Sequence, residues 1–415
     1  MHSHFITKLL GLEDVEITHV EDQITHFEIH IQTPVKVQKC PCCQKETSSV
    51  HDDRIQKIRD VKVFEKYCFL ILRKRRYRCK SCGKRFYEPY SFLERYQRHT
   101  KRLLQALLVK VREYNFKQVA KETGLGHSTV IRLFDKYYSY DNKALPKVLA
   151  IDEFKGTSET GKYQCIIGDP VNRRVYDIIP NRNLSTLKEY FRTLPREKVQ
   201  MVVMDMWQPY KTLALKSFDK PILVVDRFHY VRHNVWALER VRKRVQKNFQ
   251  EKDRKSMKKL RYLLHKPHAH LNADETEQLN YFFSLAPDLK KAYIVKETFH
   301  KWLKESDKTN AKRNLEHLYK VIERSGLEEY QYMKRTFKNW EKEILNSFLF
   351  PYTNGFIEGI NNKIKVIKRM SYGIRNFKRL RNKALCSLIQ STKKGHFDKC
   401  TPTIDIEPKI QKTTL

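Results

Sequence analysis

Apolar and polar positions along the chain change period several times, and each change predicts an element. Near the amino terminus HFEIHIQ alternates, with Phe27, Ile29 and Ile31 on one face, and YCFLILRKRRYRC is an apolar run ending in cations; both predict short antiparallel strands. Residues 116–137, FKQVAKETGLGHSTVIRLFDKY, change to helical spacing: Ala120 is small where two helices cross, Gly124 permits a tight turn, and Val130 and Leu133 return to an apolar face. From residue 147 short runs dominate. KVLAIDEF, YQCIIGD, RRVYDIIP, VQMVVMDMW and PILVVDRFH read as strands, with the helix-like LSTLKEYFRTL between the third and fourth. The predicted order is strand, strand, strand, helix, strand, helix, strand. Residues 236–264 then predict a helix with Val241, Val245, Phe249 and Leu260 on one side. A last helix, 356–370, has Ile357, Ile360, Ile364 and Ile367 at steps of three and four, a stripe that packs on the sheet.

Composition adds a partner to this picture. The 415 residues are enough for two or three domains. Lys and Arg number 83 against 47 Asp and Glu, a net charge of +36, which points to a polyanion and first to nucleic acid; a solvated basic surface is the plainer alternative. No run of 18 apolar residues occurs, and MHSHFITKLLGL has too short an apolar segment for a signal peptide, so a cytosolic protein without membrane contact is expected. No internal repeat is evident.

Four of the nine cysteines fall in two pairs, Cys40 with Cys43 and Cys79 with Cys82. Two such knuckles supply the four thiolates of a closed structural Zn²⁺ site, and the 35 residues between them require a longer β-ribbon. Cys42 is the spare residue of the first knuckle, although a set running from Cys42 to Cys82 is an alternative, as is a redox role. Cys68, Cys165, Cys386 and Cys400 read as plain thiols. In the helix pair after the ribbon, His127, Ser128, Thr129 and Arg132 fall at the start and exposed face of the second helix, where such modules touch base edges and phosphates.

Acids mark the strand ends. Asp152, Asp205 and Asp226 close three of the runs, with His229 just beyond the last, and carboxylates on one edge of an α/β sheet are placed to share a metal. Glu358 is the single acid in the otherwise basic NGFIEGINNKIKVIKRM, at the edge of the apolar stripe. Lys365 lies seven residues on, within roughly 20° of Glu358 at ~100° per residue, and Arg369 lies beyond it. One helix face therefore carries a carboxylate followed by cations suited to phosphate. Residues 236–264 hold eleven Lys or Arg against three acids, a face for DNA phosphates or a solvated bundle wall. Trp236, Trp302 and Trp340 read as core anchors.

Taken together, CPCC with CKSC, the helix pair, IDEF, VVMDMW, VVDRFH and NGFIEGINNKIKVIKRMSYGIRNF resemble the bacterial insertion-sequence transposases of the ISL-three family, over about residues 5–392. The resemblance implies an RNase H-like α/β core of the Asp-Asp-Glu group, interrupted by a helical insertion and preceded by a zinc ribbon and a helix-turn-helix. It implies a zinc-ribbon DNA-binding module at 1–95, a helix-turn-helix at 96–142, core at 143–235 and 347–395, insertion at 236–346 and a tail at 396–415. It also implies Asp152, Asp205 and Glu358 as the catalytic acids, with Asp226 to His229 as a supporting Asp-x-x-His signature. The 153 positions from Asp205 to Glu358 leave room for the insertion.

Three carboxylates can hold two Mg²⁺ or Mn²⁺ ions for in-line phosphodiester chemistry, with no covalent protein nucleophile. The expected partners are double-stranded DNA, as element ends and as target, and further copies of the chain, at the nucleoid of a bacterial cytoplasm. A transcription regulator with incidental acids, or a nuclease without strand transfer, are the alternatives.

Overall fold

The computed structural model describes residues 7, 10–12, 15–140, 144–157 and 159–388. The described residues divide into two compact units. One lies within Met1–Tyr140, Ile367–Ile374 and Asn382–Leu415, the other within Asp141–Val366 and Arg375–Arg381. The expected tail at 396–415 and Cys400 lie outside the described residues.

The first unit begins with β1 (Glu16–Asp22), β2 (His26–Gln32), β3 (Gln38–Lys39), β4 (Glu46–Thr47), β5 (Val50–Val63), β6 (Lys66–Arg78) and β7 (Arg85–Tyr87). Its main sheet runs β1-β2-β6-β5, with β7 also on β6. The strands differ from the short antiparallel set expected: β5 and β6 are 14 and 13 residues long, and β2 pairs with β6 in parallel. Ile29, Ile31, Ile58, Cys68, Leu70 and Leu72 form its core. Three helices follow, α1 (Lys101–Glu113), α2 (Phe116–Thr123) and α3 (His127–Tyr137). Thr100 and Asn115 cap the first two, accepting from Leu103 N at 3.2 Å and Gln118 N at 2.8 Å. Gly124 ends α2 at φ +66°, and a Cβ there would sit 2.8 Å from Tyr67, so both the backbone and the close approach require glycine.

The second unit holds β8 (Val148–Lys155), β9 (Tyr163–Asp169), β10 (Arg174–Ile179), α4 (Leu184–Arg192), β11 (Met201–Met204), α5 (Gln208–Ser217) and β12 (Ile222–Val225), in the predicted order. The sheet runs β10-β9-β8-β11-β12. β8, β11 and β12 are mutually parallel and buried, whereas β9 and β10 join antiparallel as a hairpin. Parallel strands covered on both faces read as continuous apolar runs, which is why their sequences announced them.

From Arg227 to Leu349 the chain is helical. It forms α6 (Arg227–Gln246), α7 (Glu251–Lys259), α8 (Arg261–His265), α9 (Ala273–Leu285), α10 (Pro287–Glu305), α11 (Ala311–Ser325), α12 (Glu328–Asn339) and α13 (Glu341–Leu349). The single helix expected over 236–264 is instead three, because α6 ends at Gln246 and a new helix starts after Gln250. Val241, Val245 and Leu260 are buried in one continuous core with the sheet, and Phe249 packs on its margin. Trp302 and Trp340 are buried as expected, but Trp236 is 43% exposed and is no core anchor. α13 returns the chain to the sheet, where Asn346 Nδ2 donates to Leu223 O of β12 at 2.8 Å. Last come α14 (Gly355–Met370) and α15 (Phe377–Leu388).

Candidate active site and zinc centre

Strand register gathers the acids. β11 pairs with β8 as Met201 with Val148 and Val203 with Ala150, so the same register continued by two residues sets Asp205 beside Asp152. β11 pairs with β12 as Met204 with Val225, which sets Asp226 on the other side of Asp205. Asp205 and Asp226 directly follow the last residues of β11 and β12, whereas Asp152, expected at a strand end, lies inside β8, which runs on to Lys155 beside β9; the three aspartates still line up in a row across the parallel strands. His229, on the first turn of α6, completes the group: its Nε2 lies 2.8 Å from Asp205 Oδ1.

The row runs from half-buried Asp152 and Asp205 to buried Asp226 and is short of cations. Asp226 is 6% exposed. Burial first, and then the charge of Asp205, push the Asp152 carboxyl up to about 7. Burial also raises Asp226, although the backbone N–H of Asn354 opposes it. For His229 burial works against the protonated ring, yet contact with Asp205 and the fields of Asp226 and Asp152 outweigh it and raise its pKa. Glu153, next to Asp152, is already engaged elsewhere: it pairs with Arg182 and accepts from Tyr210 Oη at 3.1 Å. Neighbouring carboxylates without a Lys or Arg partner are an arrangement that a divalent cation relieves; Asp152 and Asp205 could share one, although no three ligand atoms of the row lie within 4.8 Å of one another.

Glu358 sits on a helix that is anchored to the group. Asn354 precedes α14, and its backbone O accepts from Ile357 N at 2.8 Å and Glu358 N at 3.1 Å. Its side-chain Nδ2 donates to Ile151 O at 3.1 Å, and its N–H donates to Asp226 Oδ1 at 3.3 Å. One turn beyond Glu358, Asn361 Nδ2 donates to Asp152 Oδ2 at 2.9 Å. Residues 354, 358 and 361 share one helix stripe, so Glu358 projects from the face tied to the Asp152 strand. Its side chain is exposed, and the ligand atoms of Asp152, Asp205 and Glu358 do not all lie within 4.8 Å of one another. Of the apolar stripe, Ile357 packs beside Gly168 of β9 as expected; Ile364 and Ile367 are buried and Ile360 partly so. Asn354 and Asn361 were missed in the sequence; their signal was an i−4 and i+3 spacing about Glu358.

Lys365 continues the stripe and is exposed, its Nζ 3.1 Å from Asn362 Oδ1, and Arg369 is exposed one turn further. In the first unit His127, Ser128 and Arg132 are exposed and Thr129 partly so, all at the start and outer face of α3.

The four cysteines converge. Cys40 Sγ is 3.6 Å from Cys82 Sγ, and Cys43 Sγ is 3.5 Å from Cys79 Sγ, and all four sulfurs lie within 4.8 Å of one another. A tetrahedron with Zn–S bonds of ~2.3 Å has edges of about 3.8 Å, so the site fits zinc. The two knuckles repeat each other: Cys40 N donates to Lys45 O at 3.0 Å and Cys79 N to Lys84 O at 2.9 Å. The turn residues Gln44 and Gly83 both have positive φ, 60° and 70°. The backbone N–H of Cys82 lowers Cys79 to about 6, and that of Cys43 lowers Cys40, toward the thiolates that bind metal. At Cys43 and Cys82 the backbone N–H groups are outweighed by the neighbouring thiols and burial, which raise both. Cys42 is exposed and outside the set; Cys68, Cys165 and Cys386 are buried thiols.

A four-thiolate ribbon, a helix-turn-helix and an α/β unit with aspartates in a row across adjacent parallel strands, in that order, define a DNA-handling protein built like a transposase. The comparisons agree. A family described as transposase, of the ISL3 group, matches residues 149–384; the zinc-finger of transposase IS204/IS1001/IS1096/IS1165 matches 36–82; and the helix-turn-helix domain of transposase family ISL3 matches 88–138. The chain belongs to the ISL3 transposase family. The transposase for insertion sequence element IS1001 of Bordetella parapertussis is 29% identical over 378 residues, 88% of this chain and 92% of that protein. A protein named ATP-dependent protease of Lactococcus lactis subsp. lactis is 33% identical over 109 residues, 26% of this chain and 33% of that protein, too short a stretch to bear on function. No described helix is long and apolar enough to cross a membrane.

Proposed function

We propose that this transposase cuts phosphodiester bonds at the ends of its own mobile element and joins the freed 3′-hydroxyls to target DNA, with Asp152, Asp205 and Glu358 as its catalytic acids. The observation that carries the reading is the parallel register that lines up Asp152, Asp205 and Asp226, with the Glu358 helix tied to β8 at Ile151 and Asp152. In this reading residues 143–235 and 347–395 make an RNase H-like core, 236–346 are a helical insertion, and 1–95 and 96–142 bind the element ends.

The site's own groups suggest their roles. Asp152 and Asp205 offer oxygens to a divalent cation, Mg²⁺ or Mn²⁺, and Glu358 supplies a third carboxylate from the helix. Bound there, such cations would make a hydroxyl nucleophilic and offset charge on the leaving oxygen. His229 holds Asp205 in orientation, and Asp226 fixes the turn into α14 through Asn354, so both position rather than react. Asn361 fixes the Asp152 carboxylate. His127, Ser128, Thr129 and Arg132 would meet base edges and backbone, and Lys365 and Arg369 the phosphates near the cut. The outer face of α6, with Arg232 and Arg240 beside exposed Trp236 and Tyr332, suits DNA as well. Two element ends call for more than one copy of the chain, acting at the nucleoid of a bacterial cytoplasm.

The test supplies the full chain with a labelled element-end fragment and a supercoiled plasmid in Mg²⁺. Nicks at the element boundary and labelled plasmid are expected. Binding without any nick would make the chain a regulator, and nicks without joined product a nuclease.

A further inference from the structure

The edge of the amino-terminal sheet carries a second group of metal-ligating side chains, distinct from the four thiolates and from the acids of the other unit. A bulge near the start of β1 brings His19 opposite His30 and Glu21 opposite Glu28 across the β1-β2 pair. The inward positions of β2, Ile29 and Ile31, are buried, so the alternate residues His19, Glu21, Glu28 and His30 share the outward face. His30 Nε2 lies 3.3 Å from Glu21 Oε1, and His19 Nε2 lies 3.7 Å from the same oxygen. One donor atom from each of Glu21, Glu28 and His30 falls within 4.8 Å of the other two.

Ordinary surface ion pairing explains part of this group and leaves two features over. Two carboxylates stand directly opposite each other, a cross-strand arrangement that costs stability unless a cation lies between them. Lys57 contacts Glu28, and His26 Nε2 is 3.2 Å from Glu28 Oε1. Glu21 has no Lys or Arg partner among the described residues; its neighbours are His19, His30 and Gln23. The second feature is His30 Nε2. It is shielded from solvent and, despite its nearness to Glu21, has no aligned hydrogen-bond partner. A ring nitrogen shielded from solvent, on a histidine whose side chain is 33% exposed, and within 4.8 Å of two carboxylate oxygens is a ligand set.

Spacing supports this. Tetrahedral zinc with N and O bonds of ~2.0 to 2.1 Å has edges of about 3.3 to 3.4 Å, against the 3.3 and 3.7 Å found at Glu21. We propose that Glu21, Glu28 and His30, with the exposed His19 ring turning in as the fourth ligand, bind one Zn²⁺ ion that clips the edge strand β1 to β2. Mixed imidazole and carboxylate donors favour zinc among common divalent cations over Mg²⁺ or Ca²⁺, which prefer oxygen alone. His26 and Lys57 would then orient Glu28 from behind, as groups around metal sites do. The proposal does not depend on the reaction assigned to the other unit.

The test counts metal on the full chain, in an Asp205→Asn background that weakens cation binding at the aspartate row. After equilibration with buffered Zn²⁺ and gel filtration, elemental analysis should find two zinc ions per chain, and one after His30→Ala or Glu21→Gln. With Co²⁺ in place of Zn²⁺, the thiolate charge-transfer band should be unchanged in both variants, which shows that the ribbon remains folded and loaded. One zinc in the background protein, or two retained in both variants, would overturn the proposal. Loss of the thiolate band along with the metal would do so as well, since the outer-face residues would then be part of the ribbon's own folding.

Discussion

Asn361 Nδ2 donates to Asp152 Oδ2 at 2.9 Å, and seven residues earlier on the same stripe Asn354 ties the helix to Ile151 O. Glu358 lies between these two anchors, so the strand that carries one acid fixes the helix that carries another. Asn361→Leu should therefore leave end binding intact and slow nicking by roughly 10-fold to 100-fold, the usual cost of removing a group that orients a metal ligand. Nicking of a labelled end under single-turnover conditions measures it, and a loss under about twofold would speak against the role.

Gly168 of β9 is where that helix meets the sheet. A Cβ there would lie 2.5 Å from Phe356 Cζ and 3.0 Å from Ile357 Cδ1. Gly168→Val should push the start of α14 outward, destabilise the unit by about 1–3 kcal/mol, and reduce nicking more than binding. Denaturant titration read beside the nicking assay checks both; unchanged stability would mean that the helix yields freely.

Much of this arrangement was legible in the sequence, and the exceptions have physical causes. β8, β11 and β12 are buried on both faces and spell continuous apolar runs, so their acids stood out as punctuation. β5 spells nothing of the kind, because its first six residues are exposed and β6 pairs with it through charged partners such as Asp52 with Arg76. The turn joining them also lacks glycine: Phe64 and Glu65 take positive φ of 47° and 64°. Trp236 was misjudged since its helix face is lined with Arg232 and Arg240 rather than with core. Asn354 and Asn361 went unread because asparagine carries little weight as a helix signal; only the fold shows what each one holds.

The zinc ribbon should stand or fall as a unit. Cys79→Ser removes one of four converging thiolates, and binding energy at such a site is folding energy. The variant should lose its zinc, unfold the amino-terminal module and bind element ends poorly, while the second unit stays folded. Limited proteolysis with mass spectrometry should leave a protected fragment within Asp141–Val366; a variant that keeps zinc and end affinity would refute this.

Lys383 provides a pH signature. Its Nζ donates to Tyr114 O at 2.9 Å and contacts Val111 O, and burial pushes its pKa down to about 8. Below about 8 the group is protonated whether folded or not. Between about 8 and the ordinary lysine value of 10.5 the unfolded chain binds a proton that the folded chain lacks, so stability rises with pH across that window. The folded state carries a penalty of up to about 3 kcal/mol at neutral pH that is relieved as the pH climbs. Subtracting the stability of Lys383→Met from that of the parent, from pH 7 to 10.5, should give a rising difference; a flat one would mean that the ammonium stays charged inside.

The central claim is that the aspartate row performs the chemistry, and Asp205→Asn tests it most directly. The change keeps side-chain size but removes a charge on which a hard cation depends. In a chain of net charge +36 the loss of an acid should not weaken attraction to phosphate. One labelled end fragment serves for both readouts, band shift for binding and Mg²⁺-dependent nicking for reaction. The account predicts binding at least equal to the parent with nicking and joining abolished; nicking at the parental rate would contradict it.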